Sequence, residues 1–573
     1  MADSEQKKKV IVPYVRQIQT GTQLIQNSAY NKGLAFTDHE RTTLCLHGLL
    51  PPRVMTLEEQ AHQVMWNIRR KVSNLDKYQY LMSIMEANEK LFYNVLINNI
   101  FDLMPIVYTP TVGLACQRYG YIFTQPRGMY VTIKDLGKVR SVLLNWPETD
   151  VRGIVFTDGQ RILGLGDLGA FGMGIPVGKL ALYTACAGIN PRQLLPVTID
   201  VGTNREELLN DEFYIGIQEK RTTGEKYDAL ILEFMTEVRN IWGKTCLLQF
   251  EDFGNANAFR LLKMHRDNFC TFNDDIQGTA SIALAGMYSA LRITGGKLSD
   301  QTFVFMGAGS AGIGIAELIC EAMKLDEGIS IDEARKHVWL VDSRGLIFAG
   351  RERLNGLKPL YAHEWDGGEV KDLAEIVKLV KATTLIGVSG QAGVFTEAVC
   401  NQMAANADRP IIFPYSNPNS NAEASAADCY KWTNNRCIFA SGSPWPKQEI
   451  TLDGKTFEVI PAQGNNAYIF PGVALAIMAT KCLTVPDSMF ITAAKHCSSL
   501  VTDEMLEAGT IYPLLKDIRD VSFSIACTVG EHAYEIGVTD SVRPADIKEL
   551  IRSFQYDHSG YQSYGHNVYE ENE

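Results

Sequence analysis

Two pairs of adjacent acids stand where strands should end. Glu251-Asp252 follow the apolar run Cys246-Leu-Leu-Gln-Phe250, and Asp274-Asp275 follow Phe269-Cys-Thr-Phe272 just ahead of a helical pattern. Strand ends are the edge at which open sheets bind ligands. Three carboxylates converging there would offer oxygen donors to Mg²⁺ or Mn²⁺, with positions left for substrate and water. Capping of the following helices is the other reading, since Asp commonly precedes a helix for that reason alone. Lys179 lies in an otherwise apolar stretch, Gly174-Ile-Pro-Val-Gly-Lys-Leu-Ala-Leu-Tyr183. Desolvation there would lower its pKa toward that of a base working near neutrality, unless the ammonium snorkels to water. Arg161, in Thr157-Asp-Gly-Gln-Arg-Ile-Leu163, carries a planar fork that fits a carboxylate, with a surface ion pair as its alternative.

Two stretches fit G-x-G-x-x-G: Gly164-Leu-Gly-Asp-Leu-Gly169 and Gly307-Ala308-Gly309-Ser310-Ala311-Gly312. The second directly follows the apolar run Gln301-Thr-Phe-Val-Phe-Met306 and opens a helical pattern through Ile313, Ala316, Leu318 and Cys320. It therefore sets bare amides and a helix N-terminus against a pyrophosphate, or else is a tight turn that only packs helix on sheet. The next strand, Val338-Trp-Leu-Val-Asp342, ends in the acid expected near an adenosine ribose. Ser343, Arg344 and Lys358 would place a hydroxyl and cations where a 2′-phosphate lies, favouring NADP over NAD; ordinary surface charge explains them as well. The first match runs into Ala170-Phe-Gly-Met-Gly-Ile-Pro176, whose proline and glycines are expected to break the early helix of a phosphate cradle, leaving a turn-rich substrate loop. Two later loops, Ser389-Gly-Gln-Ala-Gly393 and Ser416-Asn417-Pro418, fall at strand ends where amides and an Asn could meet the nicotinamide half.

The elements that must position these groups follow from periodicity. Up to about residue 126 the pattern is helical, with amphipathic runs Leu57 to Arg70 and Lys77 to Ile97. From about 127, short apolar strands alternate with helices: Gly128 to Ile133, Gly153 to Thr157, Gln193 to Asp200 and Cys246 to Phe250. A second series gives strands at Thr302 to Met306, His337 to Asp342, Thr383 to Val388, Ile411 to Phe413 and Cys437 to Ala440, the spacing of a doubly wound parallel sheet. The fold class is α/β: a Rossmann-like dinucleotide domain (274–465), a second α/β substrate domain (127–273 and 466–537), a helical N-terminal domain (1–126) and a C-terminal tail (538–573) that could pack on a neighbouring subunit.

The 573 residues are 46% apolar and 21% charged, enough to fill several cores. A formal charge of -12 disfavours broad attraction to nucleic acid or to an anionic membrane face, and Lys7-Lys8-Lys9 reads as a solvated tail. The longest apolar stretches noted, Ile276 to Leu291 and Ile469 to Thr480, are short of a bilayer span, so no membrane helix is expected. Twelve cysteines without CxxC pairs suit free thiols in a reducing compartment, and the first residues lack a signal core, which points to the cytoplasm.

Several of these segments, taken in order, closely resemble the eukaryotic malic enzyme family. The matching words are Met104-Pro-Ile-Val-Tyr-Thr-Pro-Thr-Val-Gly113, Arg161-Ile-Leu-Gly-Leu-Gly-Asp-Leu-Gly169, Gly174 to Tyr183, Gln249-Phe-Glu-Asp-Phe253, Phe272-Asn-Asp-Asp-Ile-Gln-Gly-Thr-Ala280, and Gly464-Asn-Asn466 before Phe470-Pro-Gly472, within a likeness running from about Gly33 to near Gly537. The resemblance implies oxidative decarboxylation of L-malate to pyruvate and CO₂. Lys179 would take the C2 hydroxyl proton with Asp274 orienting it, and Tyr108 would protonate C3 of the enol. Glu251, Asp252 and Asp275 would hold the divalent ion, and Arg161, Asn417 and Asn466 would contact substrate and nicotinamide. It also implies a homotetramer built as a dimer of dimers, and NADP preference through Ser343, Arg344 and Lys358, with NAD as the alternative. One departure stands out: members activated by fumarate carry arginines aligned with Gln63 and Ala87, so no fumarate activation is expected.

Overall fold

Capping chemistry starts the N-terminal helices. The structure, a computed structural model, describes residues 19–564 apart from Asp453, so Lys7-Lys8-Lys9 lie outside the described residues. Thr56 accepts from the Glu59 amide while the Glu59 carboxylate takes the Thr56 N–H, and the helix Leu57–Arg70 follows. Ser73 and Asp76 repeat the device ahead of Asn74–Ala87. The run expected from Lys77 to Ile97 is split, because Asn88 leaves helical geometry (φ -155°, ψ 92°) and caps a new helix, Glu89–Asn98, through its side chain. These helices belong to a unit formed by Met1–Val107 and Tyr556–Glu573. The returning chain is tied down within it: Asn88 donates to the Tyr561 hydroxyl (2.7 Å), Asn94 to the His558 carbonyl (3.1 Å), and the Tyr564 amide to Glu40 Oε1 (2.8 Å). Glu40 also pairs with Lys32, both buried, and the Lys32 ammonium lies 4.1 Å from the Tyr564 ring centroid. The described part of the tail thus packs on its own chain.

The second unit, Tyr108–Gln555, contains both large sheets. In the first, β1 (Met129–Thr132), β2 (Gly153–Thr157), β3 (Leu194–Asp200), β4 (Leu247–Phe250) and β5 (Thr271–Asn273) run parallel in the order β1-β3-β2-β4-β5. Strands β2, β3 and β4 are buried at every position, which is why they read as apolar runs rather than alternating ones. In the second sheet, β6 (Phe303–Met306), β7 (Val338–Asp342), β8 (Gly345–Leu346), β9 (Thr384–Gly387), β10 (Ile411–Pro414) and β11 (Ile438–Ser441) are joined by the late strand Ala462–Gln463 in the order Ala462–Gln463, β11, β10, β9, β6, β7, β8. Only β8 is antiparallel to its neighbour. The chain order reverses between β6 and β9, so the carboxyl ends of these two strands form the crevice where doubly wound sheets bind ligands. β8, the late strand and the hairpin Gln448–Leu452 with Lys455–Val459 are short elements beyond those expected from the apolar pattern.

Pro176 does not break a helix. A 3₁₀ turn, Gly169–Met173, leads into the helix Gly174–Ala187 with Pro176 in its first turn, where a proline is tolerated. The whole stretch Gly169–Ala187 is long and apolar enough for a bilayer span, which the sequence reading passed over, but its apolar window is entirely buried inside this unit. The segment Thr111–Gln117, read as part of the helical entry, packs against it: a Cβ on Gly174 would stand 2.8 Å from Cys116 Sγ.

Breaking the Lys32–Glu40 pair should leave an uncompensated buried ammonium. Glu40→Ala is expected to destabilise the N-terminal unit by about 3 kcal/mol, and Lys32→Met with Glu40→Leu to recover most of that. Urea unfolding of the three proteins measures both, and equal midpoints for Glu40→Ala and the parent would refute the expectation.

Candidate active site

Register places the acids. Phe156 pairs with Phe250 and Phe250 with Asn273, so the residues that follow these strands leave neighbouring strand ends at one level. Glu251 and Asp274 therefore emerge side by side. Lys179 reaches both from the buried helix behind them: its Nζ lies 2.7 Å from Asp274 Oδ2 and 2.9 Å from Glu251 Oε1, with the lysine only 1% exposed. Tyr108 donates to Glu251 Oε1 (3.4 Å), and its ring centroid is 5.1 Å from the ammonium. Asn466 donates to Asp274 Oδ2 at 3.1 Å. Asp274 to Gly278 form a π-helical turn, a feature that gathers at functional sites. A Cβ on Gly278 would collide with Asp274 Oδ1, so the turn leaves room for that carboxylate.

Asp252 and Asp275 complete the cluster. The Asp252 amide donates to Asp275 Oδ2 (2.7 Å), and Glu251, Asp252 and Asp275 each present an oxygen within 4.8 Å of the others. Asp252 Oδ2 is buried with no hydrogen-bond partner among the described residues. Hard oxygen donors, mutual repulsion and an unanswered buried oxygen together fit a Mg²⁺ or Mn²⁺ ion. Burial pushes the Glu251 and Asp252 carboxyls well above the usual range, and the neighbouring acids add to it.

The Lys179 pKa moves opposite to expectation. Burial pulls it down, but the Asp274 and Glu251 carboxylates outweigh burial and hold the ammonium well above the ordinary lysine range. An apolar stretch in sequence says nothing of which acids fold against it. Burial likewise pushes the Tyr108 phenol well up, with Lys179 opposing.

Two residues that the sequence reading did not select hold Glu251. Tyr183 donates to Gln249 Oε1, and Gln249 Nε2 donates to Glu251 Oε2 at 2.7 Å. Gln249 was legible in principle, since strand alternation sets it on the face of Glu251.

Gly307-to-Gly312 forms the expected turn at the end of β6. Gly307 has φ +117°, and a Cβ there would meet the Val388 carbonyl of the adjoining β9 loop at 2.6 Å. A Cβ on Gly312 would lie 2.0 Å from the Gly307 carbonyl. Gly309 begins the helix Ser310–Glu327, which no side chain caps, so the first amides, including those of Ser310 and Ala311, remain available to an anion. A cleft of about 1000 Å³ runs from Gly309 and Ser310 to Lys358. Asp342 ends β7 but is already engaged: Arg351 pairs with Oδ1 and Lys358 with Oδ2 (3.2 Å). Arg351 gave no regular signal in sequence. Ser343 lines a smaller cavity with Asp342, while Arg344 turns to the carbonyls of Glu352 and Arg353.

The loops after β9 and β10 meet on Glu423, another residue not singled out. This fully buried carboxylate accepts from the Ser389 amide and hydroxyl (both 2.8 Å) and from the Ser416 amide (3.3 Å) and hydroxyl (2.5 Å). Asn417 follows, exposed, with its Oδ1 accepting from Ser443. Its carbonyl faces the first glycine motif, where a Cβ on Gly164 would stand 3.2 Å away. The amides that close that motif are committed: Leu168 donates to the Gly159 carbonyl (2.9 Å), Gly169 to Asp167 (3.0 Å) and Ala170, just beyond it, to the Tyr214 hydroxyl (3.0 Å). Arg161, three residues ahead of the motif, donates its amide to the Asp252 carbonyl (3.1 Å).

The profile described as "Malic enzyme, N-terminal domain" matches residues 85–266, and that described as "Malic enzyme, NAD binding domain" matches residues 276–534. An NADP-dependent malic enzyme of Rattus norvegicus is 53% identical over 540 residues, 94% of this chain and 93% of that protein. The chain belongs to the malic enzyme family. A mitochondrial NADP-dependent malic enzyme of Homo sapiens is 52% identical over 538 residues, covering 94% and 88% respectively, so membership of the malic enzyme family does not select a compartment. The Entamoeba histolytica malic enzyme superposes with a TM-score of 0.56 at 20% identity, covering 89% of this chain and 90% of that one, a likeness of fold.

Burial pushes the Asp275 carboxyl up to about 6, with Lys179 opposing and Asp274 adding. A folded pKa above the unfolded one favours the metal-free protein at low pH, and that contribution is lost as pH rises through about 6. A dication competes with the same proton, so its own stabilisation should grow through that range and level off above it. Excess Mn²⁺ is expected to raise Tm by about 5 °C at about pH 7.5 and by little at about pH 5. Asp275→Asn should remove most of the difference; equal gains at both pH values in the parent would count against the cluster as a metal site.

Proposed function

We propose that this chain oxidises L-malate at C2 with NADP and decarboxylates the product to pyruvate and CO₂. The observation that carries the reading is a lysine buried between two carboxylates, beside three acids able to hold a dication and a phenol. Relatives at about half identity bear the name NADP-dependent malic enzyme, which supports the same reaction here. Labour divides as the two sheets suggest: residues 127–273 with 466–537 handle malate, and residues 274–465 handle the dinucleotide. The fold and thiols fit a cytoplasmic enzyme, since all twelve cysteines are free. We further propose a homotetramer; exposed aromatic groups such as Tyr121 and Phe213, with centroids 4.8 Å apart, support association.

Bound NADP would supply the hydride acceptor. A divalent ion, when bound, would be held by Glu251, Asp252 and Asp275 and would supply Lewis-acid polarisation of the substrate. Lys179, once it is the free amine, takes the proton from the C2 hydroxyl, with Asp274 fixing its direction and Asn466 fixing Asp274. The returning proton goes to C3 of the enol from the Tyr108 hydroxyl, which burial keeps protonated. Arg161 grips a malate carboxylate, and Asn417 closes the nicotinamide side. Glycines 307, 309 and 312 let the backbone approach the pyrophosphate. With Asp342 neutralised by Arg351 and Lys358, a 2′-phosphate meets cations rather than a bare acid, which supports NADP over NAD. Gln63 and Ala87 leave no cationic pair for fumarate.

NADP⁺ reduction with L-malate and Mn²⁺ should yield pyruvate mole for mole and stop on addition of chelator. Fumarate should leave the KM for malate unchanged. Lys179→Met is expected to lower kcat about a thousandfold; NADPH formation without pyruvate, or full activity of Lys179→Met, would overturn the reading. Separately, Lys358→Gln should reduce the ratio of kcat/KM for NADP to that for NAD about tenfold. An unchanged ratio would remove Lys358 as the selector.

A further inference from the structure

The first glycine motif is anchored more firmly than a connecting turn requires. Asp167 within it receives a two-pronged ion pair from Arg221, Nε to Oδ2 at 2.8 Å and Nη2 to Oδ1 at 2.9 Å. The Arg221 side chain is 2% exposed and that of Asp167 15%. Arg221 Nη2 also donates to the Asp158 carbonyl (2.7 Å), and Nη1 faces Asp158 Oδ2 at 3.6 Å. Tyr227 donates to that same oxygen at 2.7 Å. Asp167 accepts from the Asn204 amide (2.9 Å) as well, so this end of the turn is fastened to the segments after β2 and β3.

The other end is fastened to the acid cluster. The Arg161 amide donates to the Asp252 carbonyl and the Leu163 amide to Asp252 Oδ1 (3.3 Å), while the Ile162 amide donates to the Gly166 carbonyl (2.9 Å) and closes the turn. The Arg161 backbone is therefore held from both directions. Its side chain is exposed and makes no hydrogen bond or ion pair among the described residues, yet it is near enough to oppose the burial that raises the Asp252 and Asp275 carboxyls. A free fork on a fixed backbone is a preorganised grip for an anion.

We propose that the buried Asp167–Arg221 pair is the positioning device that aims Arg161 at a carboxylate of the substrate, an inference that rests on the malate-binding role given to Arg161 above. Arg221 is then an affinity residue for a dicarboxylate that it never touches. A buried ion pair is a poor source of stability, because a well-packed apolar pair often serves as well or better. What apolar residues could not replace is the fixed angle that two parallel N–H···O bonds impose on the turn.

The full-length enzyme with Mn²⁺ and NADP⁺ provides the test through Asp167→Asn, Arg161→Ala and the double variant, with NADPH affinity measured by fluorescence and Tm measured alongside. Asp167→Asn should raise the KM for malate about tenfold, keep kcat within about threefold, and leave NADPH affinity unchanged. In the Arg161→Ala background the same change should move KM less than about twofold, because the group it aims is gone. Arg221→Lys, which keeps the charge and loses the fork, should reproduce the KM rise, and it carries the test should Asp167→Asn fail to fold. Additive effects in the double variant, or an unchanged KM in Asp167→Asn or Arg221→Lys while Arg161→Ala raises it, would overturn the positioning role alone. An unchanged KM in Arg161→Ala would overturn the Arg161 assignment and the positioning role together.

Discussion

A lysine ammonium removed from water is the constraint around which the first sheet is arranged. Taking such a charge into the interior costs several kcal/mol even after relaxation, and only well-placed opposite charge offsets that. Lys179 obtains it from Asp274 and Glu251, at 2.7 and 2.9 Å. That requirement fixes much else. β4 and β5 must end level so that both acids emerge together. The π-helical turn must begin at once, and Gly278 must lack a side chain to leave space for Asp274. Tyr183 and Gln249 hold the far oxygen of Glu251, so that the near one keeps facing the lysine.

The same cluster is over-supplied with negative charge. Glu251, Asp252, Asp274 and Asp275 surround one ammonium, and burial raises the carboxyl pKa values of Glu251, Asp252 and Asp275 while that surplus adds to the rise. A protein built only for stability would not retain it, since like charges in a buried site destabilise the fold. The dinucleotide end shows the reverse arrangement. There Asp342, the one acid at the tip of β7, is answered by two cations, and Glu423 is answered by four hydrogen-bond donors. Surplus charge at one end and balanced charge at the other thus set the two ends apart.

Much of this was legible in sequence where the governing interactions are local. Buried parallel strands announce themselves as apolar runs, and β2 falls on Gly153 to Thr157 as read, with most other strands displaced by a residue or so. Glycines at Gly307 and Gly312 are required by close backbone approach, so their spacing carried real information. What was not legible depends on distant partners. Arg221 stands 54 residues from Asp167, and nothing in either neighbourhood announces the pair. Asn88 broke a helix that periodicity alone would have continued, because its side chain caps better than it propagates. The direction of the Lys179 shift was misjudged for the same reason: desolvation can be read from an apolar neighbourhood, whereas the charges that oppose it come from strands far along the chain.

The position of Asp252 shows how the two halves of the site share one support. Its backbone takes a left-handed conformation (φ +55°), uncommon for a residue with a side chain. In that conformation its amide binds Asp275, its carbonyl receives the Arg161 amide, and its Oδ1 receives the Leu163 amide. One residue thus connects the acid cluster to the arginine turn, and Gly164 in that turn packs against the Asn417 carbonyl at the dinucleotide sheet. Any displacement of the Asp252 carboxylate must be felt by the turn that carries Arg161, because the two share hydrogen bonds rather than mere proximity. The placement of Arg161 and the charge state of the acid cluster are therefore properties of one mechanical assembly.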